Sequence, residues 1–237
     1  MLSVDAVRLA GVEVLCPTSA VLAHDSFPTL AGIHVFDSRA VALQDIDPER
    51  AFTPVLSLRS GRSSATLRGP HAAPWDSDAD TILEVIAELA VVAGDDGGNF
   101  ADAMAGDDPD ARLVLGALCA QVRSLFERSQ RGGLWRRLVK QITEVEYIPY
   151  EIPDLGMRWQ RMTMRYHLDI CDDQFDMGVG GLPEPIKSLF DALPDESYAK
   201  AKLSALAAHF AAEPLPALTE ISGTIGSVEA GLKNLSP

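Results

Sequence analysis

Cysteine is scarce and scattered: Cys16, Cys119 and Cys171 form an odd set with no C-x-x-C spacing, which excludes a zinc knuckle and gives no basis for a disulfide framework. A reducing compartment is the expectation. The longest nearly uninterrupted apolar stretch, residues 82–93, is broken by Glu84 and Glu88 and falls well short of the ~20 residues that span a bilayer, so no membrane partner is expected. No basic segment precedes the first apolar residues, and a secretory signal is not expected. The G-x-S-x-G elbow, the G-x-x-x-x-G-K-[ST] loop, H-E-x-x-H and G-x-G-x-x-G are all missing. His24, His34, His71, His167 and His209 lie too far apart in sequence to suggest a metal cluster or a nucleophile–base pair. The expectation is a protein that is not an enzyme, with no catalytic residue, metal site or cofactor.

Lys and Arg are absent altogether from residues 76–110, a stretch that holds eleven acids and carries most of the formal net charge of -14. A charge of this sign argues against general nucleic-acid affinity, which needs clustered cations to displace counterions. The Asp95-Asp96-Gly97-Gly98-Asn99 segment lacks the order and the closing glutamate of a calcium loop. It reads instead as a solvated acidic loop or as a surface with an electrostatic role. Residues 111–170 are the opposite pole, with ten bases against six acids, among them Arg136, Arg137, Arg158, Arg161 and Arg165. Those bases read either as a helix terminus plus exposed strand charges or as a surface for an acidic partner or a second copy.

Hydrophobic spacing predicts a first helix capped by Ser3 and ended by Pro17, a strand over 33–38, a second over 54–59, a turn at 60–63 and a third run over 65–68. Residues 82–93 fit two templates, because Glu84 and Glu88 are four apart while Leu83, Val85, Ala87, Leu89, Val91 and Ala93 alternate. A helix from near Ala111 turns Leu113, Leu115, Leu118, Val122, Leu125 and Phe126 inward and ends around Arg131-Gly132-Gly133. The strongest β signal is a hairpin with arms at 142–152 and 157–171. On its second arm Met162, Met164, Tyr166, Leu168 and Ile170 face the core, and Trp159, Arg161, Thr163, Arg165, His167 and Asp169 face away. Beyond a junction near 174–184, Ala-rich text predicts a helix over 195–212 and a last weak helix, as an appended extension.

Several stretches together resemble the tail terminator proteins of long-tailed bacteriophages. They are the opening helix with Arg8-Leu9-Ala10-Gly11-Val12-Glu13-Val14-Leu15-Cys16-Pro17-Thr18, the phrase His34-Val35-Phe36-Asp37-Ser38-Arg39, the strand Pro54-Val55-Leu56-Ser57-Leu58, the helix over 111–128, the arm over 142–152, and Gly156-Met157-Arg158 leading into a polar-alternating strand. The resemblance covers roughly residues 4–173. It implies an α+β fold, a mixed or antiparallel sheet with helices packed on one side, for residues 1–173, to which the composition adds the C-terminal helical extension over 174–237; it also tilts 82–93 toward a strand. The acidic insertion at about 94–110 and the extension are longer than the simplest members need.

The resemblance further implies a structural virion protein, assembled in the host cytoplasm, that forms a homohexameric ring at the head-proximal end of the tail. There it would end polymerisation of the major tail tube protein, meet a head-completion or neck protein, and let genomic DNA pass without specific binding. In such a ring Arg136, Arg137, Arg158, Trp159, Arg161 and Arg165 are the expected subunit or partner contacts. Glu84, Glu88, Asp95, Asp96, Asp102, Asp107, Asp108 and Asp110 are the expected channel-facing acids. The alternatives are another head–tail joining protein, or a small-molecule hydrolase or binding protein.

Overall fold

A computed structural model describes residues 1–67, 77–95, 98–106, 108–152, 157–176, 180–210, 220–225 and 228–233. Its first helix, α1 (Leu2–Leu15), is buried on almost every side, with Val4, Ala6, Val7, Leu9, Ala10, Val12, Val14 and Leu15 all in the core. Ser3 lies inside this helix rather than capping it. The cap comes from far along the chain: Asp173 accepts hydrogen bonds from the backbone N–H groups of Leu2 at 2.7 Å and Ser3 at 2.6 Å. A carboxylate there satisfies two orphan donors and complements the positive end of the helix dipole. After Pro17 comes a helix the sequence reading did not contain, α2 (Thr18–Ala23), whose first N–H donates to Glu13 Oε1 at 2.9 Å. The stretch Leu2–Ala23 is longer than residues 82–93 and apolar enough by composition to cross a membrane; buried core helices meet the same criterion, and 56% of its most apolar window is packed inside the protein.

Strand β1 (Val35–Asp37) runs parallel to β2 (Thr53–Leu67), which pairs antiparallel with β3 (Ser77–Asp95). The expected turn at 60–63 is a bulge: β2 continues through it and only the register shifts between Ser60 and Ser63, so extra residues are absorbed without reversing the chain. The ambiguity over 82–93 resolves as strand. Leu83, Val85, Ala87 and Leu89 are each at most 2% exposed on one face, and a spacing of four also fits two strand periods, which puts Glu84 and Glu88 together on the other face. The expected acidic loop is in part a strand, β4 (Gly98–Ala103), folded back on β3 with Asp95 opposite Gly98.

Helix α3 (Pro109–Glu127) starts on an Asp108 cap that accepts the Asp110 N–H, with Pro109 at the first position. Leu115, Leu118, Val122, Leu125 and Phe126 are buried as expected, but Leu113 is 72% exposed because two residues are about 200° of helix rotation away from Leu115. A Cβ at Gly132 would lie 2.1 Å from the Leu125 carbonyl oxygen, so only glycine permits the tight passage into α4 (Gly133–Arg136). Strands β5 (Val139–Ile152) and β6 (Met157–Ile170) pair antiparallel as predicted, while their connection at 153–156 lies outside the described residues. The helices α5 (Ile186–Ala192) and α6 (Tyr198–Ala207) follow. The last segment, expected as a weak helix, is instead a hairpin of β7 (Glu220–Ile225) and β8 (Val228–Lys233), whose β-branched Ile221, Thr224, Ile225 and Val228 favour extended backbone.

The architecture is α+β: a mixed sheet of order β1-β2-β3-β6-β5, with β4 attached to β3. Helix α1 lies over β1, β2 and β3, α3 lies over β3 and β6, and α5 and α6 pack against α1, so the helices cover one face. One apolar core joins them, from Val4 through Leu58, Val85 and Tyr166 to Ile186 and Leu203. A Cβ at Gly11 would sit 2.9 Å from Leu58 Cδ2, which shows how closely α1 approaches the sheet. At the centre Phe126 stacks on Trp135 with ring centroids 4.4 Å apart, and Tyr166 meets both rings edge-on. On the opposite face, Phe36, Ile46, Val55 and Ala90 form a small separate cluster under the β1–β2 connection.

Candidate functional site

The face of the sheet not covered by helices carries Glu84, Glu88, Arg161 and Arg165 of the side chains that the sequence marked for function, and it brings the two charge poles together. Glu88 lies directly across from Arg161, and Glu84 across from Arg165, on the adjacent strands β3 and β6. Arg161 Nε donates to Glu88 Oε2 at 2.7 Å, and Asp102 lies 3.7 Å from the same guanidinium. Arg165 donates to Glu84 Oε1 from both Nε at 3.1 Å and Nη2 at 3.0 Å, and its Nη1 is 3.3 Å from Glu146 Oε2. Hydrogen bonding to Glu84, against the opposing effect of burial and with help from the charge of Glu84 and from Glu146, raises the Arg165 pKa above its ordinary value.

This pairing corrects the expectation of separate poles. Glu88 is 4% exposed and bonded to an arginine of its own chain, so neither it nor Glu84 is a free charge for a channel wall. Likewise, the acids that meet Arg161 and Arg165 belong to this chain and need no neighbouring subunit. Alternation along each strand was visible in the sequence, but which acid faces which base depends on the β3–β6 register.

The other basic residues do not form one patch with these. Arg136 Nη1 donates to the Phe126 carbonyl at 3.1 Å and closes the end of α3, and Arg137 is exposed beside it. They precede β5 at the end where Val139 pairs with Ile170. Trp159 lies eleven residues away along β6, roughly 36 Å at ~3.3 Å per residue. There the Trp159 ring meets Tyr150 edge-on at 5.4 Å, and Arg161 stands over the Tyr150 ring at 5.3 Å. Of the remaining acids, Asp108 caps α3, Asp110 sits in its first turn and Asp102 neighbours Arg161. Asp96, Asp107 and the side chains of Asp95 and Arg158 lie outside the described residues.

Sequence reasoning missed the exposed apolar side chains of β5: Tyr147 at 42%, Ile148 at 39% and Tyr150 at 44%. Aromatic and β-branched residues in an otherwise polar arm were the available signal. It also missed Glu144 and Glu146, which the register sets beside His167 and Arg165. A concavity of about 430 Å³ opens between α1, α2, β1 and α6, lined by Val12, Cys16, Leu22, Phe36, Arg39 and Tyr198. Burial, with Glu13 nearby, pushes the Cys16 thiol up to about 11, and burial does the same to Cys119, so neither supplies a thiolate nucleophile at neutral pH. The chain matches no known family model and no curated protein.

Proposed function

We propose that this chain is a structural, non-enzymatic ring subunit that closes the head-proximal end of a bacteriophage tail tube as a homohexamer, joining the tube protein to a head-completion protein. The observation that carries this reading is the asymmetry of the two sheet edges. A closed ring needs two different surfaces on each subunit that fit one another. One edge is the three-residue β1, and the other is the fourteen-residue β5, which exposes Tyr147, Ile148 and Tyr150. A long edge strand with apolar side chains in solvent invites pairing, and proteins that remain monomeric avoid it. The resemblance over residues 4–173 supports the same reading and supplies the partners.

In this ring β5, with Trp159 beside it, forms the subunit contact. Asp102 on β4 and Asp108 and Asp110 at the start of α3 line the passage for DNA. Like charge keeps the backbone from adhering, within a Debye length of ~8 Å at physiological salt. Light scattering and negative-stain imaging of the purified chain test the proposal: six-membered rings are expected, and a monomer that neither forms rings nor caps tail tubes overturns it. Ile148→Lys with Tyr150→Lys should abolish rings while leaving the circular dichroism spectrum intact. The cavity beside Arg39 favours the second reading, a small-molecule binding protein, for which a monomer stabilised by a ligand is the expected result.

A further inference from the structure

We infer that Glu144, Glu146 and His167 form a binding site for a borderline divalent metal ion of the zinc type. Their ligand atoms, two carboxylate oxygens and an imidazole nitrogen, all lie within 4.8 Å of one another. The backbone produces this arrangement: Glu144 is directly opposite His167 in the β5–β6 ladder, and Glu146 is opposite Arg165, the next residue on that face. Zinc bonds of ~2.0–2.2 Å place tetrahedral ligand atoms about 3.4 Å apart, so side-chain rotations of roughly an ångström close the set without moving the strands.

A second observation points the same way. His167 Nε2 is shielded from solvent and has no hydrogen-bond partner, although Glu146 Oε2 is only 3.4 Å away. A polar nitrogen left in that state is disfavoured, and a metal ion shared with the carboxylates satisfies it. The neighbouring cation does not fill this role, because Arg165 directs two of its donors at Glu84 and only one, at 3.3 Å, at Glu146. Two glutamates and a neutral imidazole supply two negative charges to a dipositive ion. Imidazole selects zinc, nickel or copper over magnesium and calcium, and three protein ligands leave a fourth position for water or a further group. The inference rests on these three side chains and is independent of the ring.

Calorimetric titration of the chelator-treated full chain with Zn²⁺ tests it. One ion per chain is expected, with affinity falling by more than ~10-fold in His167→Ala and in Glu144→Gln, beyond the lower end of what loss of an outer-shell partner costs. Zinc should raise the melting temperature of the native chain and leave that of His167→Ala unchanged, a comparison in which each chain is its own control for folding. Cobalt bound in place of zinc should give a visible spectrum without thiolate charge transfer, which separates this site from the three cysteines. Absence of zinc binding, binding undiminished in His167→Ala, a thiolate spectrum, or equal affinity for Mg²⁺ would each overturn the inference.

Discussion

The two faces of β6 are cut from one alternating run of fourteen residues, yet they are held together by different physics. Inward, Met164, Tyr166, Leu168 and Ile170 are at most 1% exposed and belong to the same apolar core as the α3 and α4 side chains. Outward, Arg161, Arg165 and His167 are partly exposed and meet acids on β3 and β5. Burial on the first face works without direction, while the second depends on register, since a slip of one residue would set Arg161 and Arg165 against the wrong neighbours. The outward face is itself uneven. Glu88 is almost fully enclosed beside Arg161, whereas Glu84 and Arg165 share their pair with solvent.

The inward face should give the largest effect. Phe126→Ala removes the ring that stacks on Trp135 and meets Tyr166 edge-on and is expected to destabilise the fold by ~3–5 kcal/mol, read from the midpoint of denaturant unfolding. A loss below 1 kcal/mol would mean that this core is not the stabilising layer. The outward face should split. Arg161→Ala strands the buried Glu88 carboxylate and should cost about 1–3 kcal/mol, whereas Arg165→Ala leaves partly solvated acids and should cost less, a loss that shrinks further in high salt. Equal losses for the two variants would erase the distinction between them.

The smallest effect belongs at the rim beyond both faces. A hydrogen bond from Arg39 holds the Asp45 carboxyl below its ordinary value of 3.8, against the opposing effect of burial. A depressed acid contributes stability above its unfolded value, and loses it as pH falls through the folded one. Arg39→Met keeps an apolar stem over Phe36 and removes the charge. Its deficit should stay under ~1 kcal/mol near neutrality and disappear below pH 3.8, as measured by unfolding at a series of pH values.

What could be read from residues alone was whatever is local and periodic. The presence of both helices and strands, the β5–β6 hairpin, the inward and outward faces of β6 and the span of α3 all follow from spacings of two and of 3.6 residues. Two local misreadings had local causes. Ser60-Gly61-Arg62-Ser63 has turn composition but sits in a bulge, and Leu113 is apolar yet points away from the sheet. Both show that composition names a tendency and the neighbouring strand or helix selects the outcome.

Everything that joins distant segments was decided by the tertiary structure. Asp173 replaces Ser3 as the cap of α1, Glu84 and Glu88 meet the arginines that seemed to be their opposite pole, and His167 becomes the neighbour of two glutamates. The sequence by itself determined which side chains lie on which face of each strand, because the pleat imposes that on any extended chain. Which faces then stand side by side depended on the order β2-β3-β6-β5 and its registers, since pairing is set by the burial of the shared core and not by any property of one strand alone.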